Sequence, residues 1–124
     1  LSNRNKVEKR YKDNLAARLA VCHEYRRSAY RRNKLWELSN EFVINLIDKP
    51  CRYCGTIGSM RMCVATGECY HNGIDRIDNN KGYTVDNVVS CCKQCNMAKN
   101  VFTEKEFIEW THKASNHLKD GMNG

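Results

Sequence analysis

Two cysteine pairs, Cys51-Arg52-Tyr53-Cys54 and Cys92-Lys93-Gln94-Cys95, carry the strongest chemical signal in this 124-residue chain. Two residues between ligands let one tight turn aim both sulfurs at one ion, so the pairs together predict a closed four-thiolate zinc site. The 37 residues between them (55–91) exceed zinc-ribbon spacing and imply an insertion looped out between the two halves. A pair of disulfides is the alternative for the same thiols, and it needs an oxidising compartment.

The insertion must still deliver the second pair to the first. The stretch 72–99, NGIDRIDNNKGYTVDNVVSCCKQCNMAK, holds two apolar-alternating runs, Ile74–Ile77 and Thr84–Val89, around a turn rich in Asn and Gly. That pattern predicts a β-hairpin, followed by the second knuckle and a helix from Asn96, which makes a ββα unit. Asp78, Asn79, Asn80 and Gly82 read as turn residues, Gly82 at a positive φ. Cys91 alternates with Cys92 and is expected to point away from the zinc into the core.

The order CxxCG, GIDRIDNxxGYxxxN, CCxxCNxxK resembles the HNH, or ββα-metal, endonuclease superfamily, in its GIDRID-type branch of phage, mobile-element and restriction enzymes. The resemblance covers roughly residues 50 to 100. It implies a small zinc-stabilised ββα-metal core, which with the long basic N-terminal helix and the C-terminal helix read from periodicity makes an α+β fold. It also implies that Asp75 and Asn96 hold one catalytic divalent cation, Mg²⁺ or similar, and that Asn87 ties the hairpin loop by hydrogen bonds. Where the family places the His that acts as general base, this chain has Arg76. Arginine cannot accept a proton, so Arg76 is expected to clamp the scissile phosphate. His71, four residues before Asp75, is the alternative base, beside an exposed loop histidine as its bland reading; a metal-bound hydroxide needs no protein base.

Charge is concentrated at one end. Residues 1–34 hold eleven Lys and Arg against three acids, a net of +8, whereas residues 35–124 hold ten against eleven, a net of −1. Such an excess favours a polyanion, because each cation that neutralises a phosphate releases condensed counterions. Arg26, Arg27, Arg31, Arg32 and Lys34, with Lys99 further on, are the expected nucleic-acid contacts; a solvated helix face is the bland reading of the same run. No apolar run approaches a membrane span and no charged-apolar-small leader opens the sequence, so a soluble, intracellular protein without a membrane partner is expected.

The remaining elements follow from periodicity. Val7, Tyr11, Leu15, Leu19 and Cys22 mark one stripe of a long basic helix within an arm spanning 1–38. Ser39 is expected to cap a short helix, Asn40 to Asp48, with Phe42, Val43, Leu46 and Ile47 on its buried face, opening a zinc-stapled core over 39–100. Residues 56–72 read as an irregular loop or small hairpin, in which Cys63, Cys69 and His71 could join Cys22 or His23 in a second zinc site. Thr103 and Glu106 form a capping box for a last helix over 101–124 that runs to about Leu118, ends at Gly121 and buries Phe107, Ile108, Thr111, Ala114 and Leu118. All three parts make one HNH domain.

The function these readings predict is a metal-dependent DNA endonuclease, nicking as a monomer or cutting both strands as a homodimer, and the resemblance implies 5′-phosphate and 3′-hydroxyl ends. The alternatives are a zinc-stabilised DNA-binding module without catalysis and a nuclease acting on RNA.

Overall fold

The computed structural model describes residues 14–123. Helix α1 spans Leu15–Arg31 and is capped by Asn14, whose side chain accepts from the Ala17 amide at 2.9 Å. The buried face of α1 is Ala17, Arg18, Val21, Cys22 and Ala29; of the expected stripe Cys22 is buried and Leu19 half-buried, whereas Leu15 is 57% exposed. Small side chains let α1 lie close against its neighbours, and Leu15 sits in the first turn at the edge of the described residues. Val7 and Tyr11 fall outside the described residues. Arg18 is buried with its charge answered by Asp48, at the carboxyl end of the next helix.

That helix, α2, spans Asn40–Ile47 with Ser39 as its cap; of its expected face it buries Val43, Leu46 and Ile47, and Phe42 is half-buried. Residues 56–72 resolve into a hairpin rather than an irregular loop. Strand β1 (Met60–Val64) pairs antiparallel with β2 (Gly67–His71), Met60 opposite His71.

The second hairpin joins β3 (Gly73–Arg76) to β4 (Val88–Cys91), Asp75 opposite Val89. Its connection is longer than the sequence implied. The run expected as one strand, 84–89, splits into a single turn of 3-10 helix over Val85–Asn87 and the start of β4. The Thr84 hydroxyl donates to the Asp86 carboxylate at 2.6 Å, which favours the turn over the extended chain. Gly82 is not at positive φ. Glycine is needed there because the loop runs beside residue 35: a Cβ at Gly82 would lie 2.6 Å from Leu35 Cβ.

Helix α3, Lys93–Lys99, begins three residues earlier than expected, because Cys92 itself caps it, its sulfur accepting from the Cys95 amide. Asn100 stops it at φ 47°. Helix α4 covers Glu104–Asn123, entered through the reciprocal bonds of Thr103 and Glu106, both 3.1 Å. It runs through Gly121. Among the described residues only Phe107 is fully buried on it, and Leu118, expected in the core, is 63% exposed. The main core lies between α1, α2 and the two hairpins, and a smaller cluster gathers Cys51, Cys91 and Cys92 under Tyr53.

Candidate metal centre and active site

The first knuckle is closed by its own backbone. Gly55 N–H donates to Cys51 O at 3.0 Å and Cys51 N–H to Thr56 O at 2.8 Å, and the turn carries Gly55 at φ +80°, a conformation that suits glycine. The second knuckle is the first turn of α3. Together they place the sulfurs of Cys51, Cys54, Cys92 and Cys95 within 4.8 Å of one another, with Cys54 and Cys92 at 3.5 Å. A tetrahedral zinc with bonds of about 2.3 Å sets its sulfurs roughly 3.8 Å apart, so the cluster can hold that ion. Amide donors already face the sulfurs, Tyr53 N–H toward Cys51 at 3.4 Å and Cys95 N–H toward Cys92 at 3.3 Å. The Thr56 hydroxyl, then its backbone, brings the Cys54 thiol down to about 6, toward the thiolate that metal binding requires. Among the described residues no second group of three or more such ligands gathers, so Cys22, His23, Cys63, Cys69 and His71 do not form another zinc site. Cys91 is buried beside the cluster and is not one of its ligands.

Asp75 stands where three elements meet. Its carboxylate is 6% exposed and accepts from the Tyr53 hydroxyl at 3.0 Å and from the Lys99 ammonium, which lies 3.3 Å from Oδ1 and 3.2 Å from Oδ2. The ammonium also donates to Arg76 O at 3.2 Å. Lys99 is wholly buried, which corrects its expected place on the nucleic-acid surface: a buried ammonium needs acceptors, and Asp75 with the β3 carbonyl supplies them. Burial, reinforced by the negative charge of Asp75, pushes the Tyr53 phenol far up, so it remains a donor. Asn96 lies three residues before Lys99 on the same face of α3 and is exposed. A carboxylate and an amide oxygen are the hard donors that Mg²⁺ takes, and Asp75 has lone pairs beyond those used by Tyr53 and Lys99.

Two asparagines fix the surroundings. Asn87 donates to Asp78 O at 3.1 Å and Gly82 O at 2.9 Å and accepts from the Asp78 amide at 2.9 Å, which closes the loop after β3. Asn72, fully buried, donates to Lys49 O and Thr56 O at 3.0 and 2.8 Å and accepts from Ser59 N–H at 3.2 Å, joining the end of α2 to the first knuckle. Arg76 turns to the other face of its strand. Its Nη1 donates to Asn79 O and Lys81 O, both at 2.9 Å, and its guanidinium lies 5.2 Å over the Tyr83 ring. Much of that side chain is spent on the loop.

His71 lines a different space, a cleft of 480 Å³ under α1 with Tyr25, Ser28, Arg27, Arg31 and Arg32. Its Nδ1 lies 2.7 Å from Asn72 O, and since a carbonyl only accepts, Nδ1 carries the proton. Burial lowers its basicity, leaving a neutral ring with a lone pair on Nε2. Arg26 and Lys34 are exposed on and just after α1; Arg26 Nη2 lies 3.0 Å from His23 Nδ1.

A solved structure of the rare-cutting HNH restriction endonuclease PacI superposes on this architecture with a TM-score of 0.59, at 20% identity, over 81% of this chain and 78% of that one. This chain has the HNH fold. No family model matches it. Two viral proteins are similar in sequence: uncharacterised protein R423 of Acanthamoeba polyphaga mimivirus, 32% identical over 100 residues, and an uncharacterised 29.0 kDa protein from the dda-modA intergenic region of enterobacteria phage T4, 34% identical over 83. The matches take in 76% and 66% of this chain but only 17% and 32% of those proteins. No helix among the described residues is long and apolar enough to cross a membrane.

Within this HNH fold, sequence reasoning missed three anchors. Tyr53 read as a spacer between ligands, although a hydroxyl inside a knuckle is a donor aimed by the metal loop. Asn72 stood only at the end of the stretch expected as an irregular loop or small hairpin. Lys99 carried a signal in its place, three residues from Asn96 and so on the face of α3 nearest the hairpin.

Proposed function

We propose that this chain is a metal-dependent endonuclease acting on DNA. The observation that carries the reading is the placement of Asp75, buried at the junction of knuckle, hairpin and α3 in an HNH fold, with both oxygens held by donors. Asp75 and Asn96 would hold a divalent cation, which when bound supplies Lewis-acid stabilisation to the phosphate and its leaving 3′ oxygen. Arg27, Arg31 and Arg32 line the cleft under α1 and hold the backbone of the strand through charge-assisted bonds. His71 lines the cleft under α1 rather than the surroundings of Asp75, so the attacking water gives its proton to solvent. Water attacks phosphorus in line, the P–O3′ bond breaks, and the products are a 5′-phosphate and a 3′-hydroxyl. Arg76 supports this by fixing the loop that begins at Ile77.

The test is cleavage of supercoiled plasmid in Mg²⁺, with Asp75→Asn and EDTA as controls and a single-stranded RNA of matched length as competitor substrate. Nicked or linear product that both controls abolish supports the reading, and the ratio of the two forms reports one active site or a pair. One observation favours a second reading, a DNA-binding module without catalysis: Lys99 already neutralises Asp75, and a closed ion pair needs no cation. Intact plasmid together with a metal-independent gel shift would select it.

A further inference from the structure

Tyr53 belongs to two sites at once. Its amide donates to the Cys51 sulfur at 3.4 Å, inside the four-cysteine cluster, while its hydroxyl donates to Asp75 Oδ2 at 3.0 Å. Its ring meets Phe107 of α4 edge-on, centroids 5.0 Å apart at 88°, so the phenol is fixed from the metal loop on one side and from α4 on the other. Lys99 lies nearly equidistant from both oxygens of Asp75 and so does not distinguish one from the other. The Tyr53 bond to one oxygen is what selects a single orientation.

We propose that Tyr53 is the positioning residue through which the zinc knuckle sets the cation affinity of Asp75. The proposal rests on the reading of Asp75 as a cation ligand. In physical terms the knuckle is more than a staple: Cys51 and Cys54 would tie the turn to zinc, the turn holds the phenol, and the phenol sets which lone pair of Asp75 faces outward. Outer donors of this kind orient a metal ligand without touching the metal.

Mn²⁺, followed by electron paramagnetic resonance, is the probe, titrated into the full zinc-loaded chain and its Asp75→Asn, Tyr53→Phe and Phe107→Leu variants, with zinc per chain measured in each. Tyr53→Phe keeps the ring, its packing and the backbone bond to Cys51, and it is expected to hold one zinc while its Mn²⁺ dissociation constant rises about 10- to 100-fold. Phe107→Leu is expected to move the same constant in the same direction by less. Partial zinc removal should weaken Mn²⁺ binding in the natural sequence and add nothing in Tyr53→Phe, because both act through one bond. Unchanged Mn²⁺ affinity in zinc-loaded Tyr53→Phe, where Asp75→Asn does weaken it, overturns the proposal alone. If Asp75→Asn also leaves Mn²⁺ binding untouched, the cation-site reading falls and the proposal with it.

Discussion

Hairpins β1–β2 and β3–β4 are both two-stranded antiparallel pairs, yet three of the four residues of β3 are buried whereas β1 alternates half-buried and exposed positions. Each hairpin carries an ion pair. Arg61 and Glu68 pair across β1–β2 in solvent, and Lys99 and Asp75 pair out of solvent on β3. An isolated two-stranded hairpin is marginal in water, so each must borrow stability. The first leans on α1. The second is held by the cysteine cluster, by α3 and by the Asn87 loop, and it is the one that carries Asp75. The difference shows where this small protein is rigid: order is concentrated around one carboxylate, while the other hairpin serves as a wall for the arginine-lined cleft.

Metal removal should break the comparison most severely. A structural zinc contributes about 10–16 kcal/mol of folding free energy in small metal domains, so Cys92→Ser or exhaustive chelation is expected to abolish cooperative melting of the β3–β4 region. Circular dichroism melts with and without chelator check this. A melt indifferent to chelation would mean that the second hairpin needs no borrowed stability.

The two ion pairs give the next test. Asp75→Ala leaves a buried ammonium without its counter-ion and is expected to destabilise by about 3–5 kcal/mol, measured by denaturant midpoint. Glu68→Ala removes an exposed pair and should leave the midpoint where it was. Equal effects at the two positions would erase the distinction drawn between the hairpins. Asn72→Ala comes third, at about 2–3 kcal/mol, because it strands buried backbone groups that link α2 to the first knuckle.

How much of this was legible in the residues follows from how local each signal is. Ser39, Thr103 with Glu106, and the two knuckles act over three or four residues, and each does in the structure what its spacing implied. The strand expected over 84–89 failed because alternation there competes with a Thr84–Asp86 turn, and a side chain bonding its own backbone or near neighbour is invisible to a period-two count. The α1 stripe holds at Cys22 and misses at Leu15, because close approach of a helix to its neighbours selects small residues such as Ala17 and Ala29. Tyr53, Asn72 and Lys99 act across 22, 16 to 23 and 24 positions of chain, distances over which single-sequence patterns hold no information. Asp75 could be named from the motif, but the donors that hold it could not.

The smallest effect concerns His71 at the inner wall of the cleft, and its sign can be worked out. Burial disfavours the imidazolium, so the folded-state value lies below the ordinary 6.5. Between that depressed value and 6.5 the unfolded chain binds a proton that the folded chain refuses, and stability therefore falls as pH drops through 6.5, levelling off once the folded form also protonates. Above about pH 7 the histidine contributes no pH dependence. His71→Gln keeps a donor for Asn72 O and removes the titration, so its denaturant midpoint should decline less between pH 7 and pH 5 than that of the natural sequence. Parallel curves would place the imidazole in solvent, and the cleft would then lose the neutral acceptor that distinguishes its wall from an ordinary basic surface.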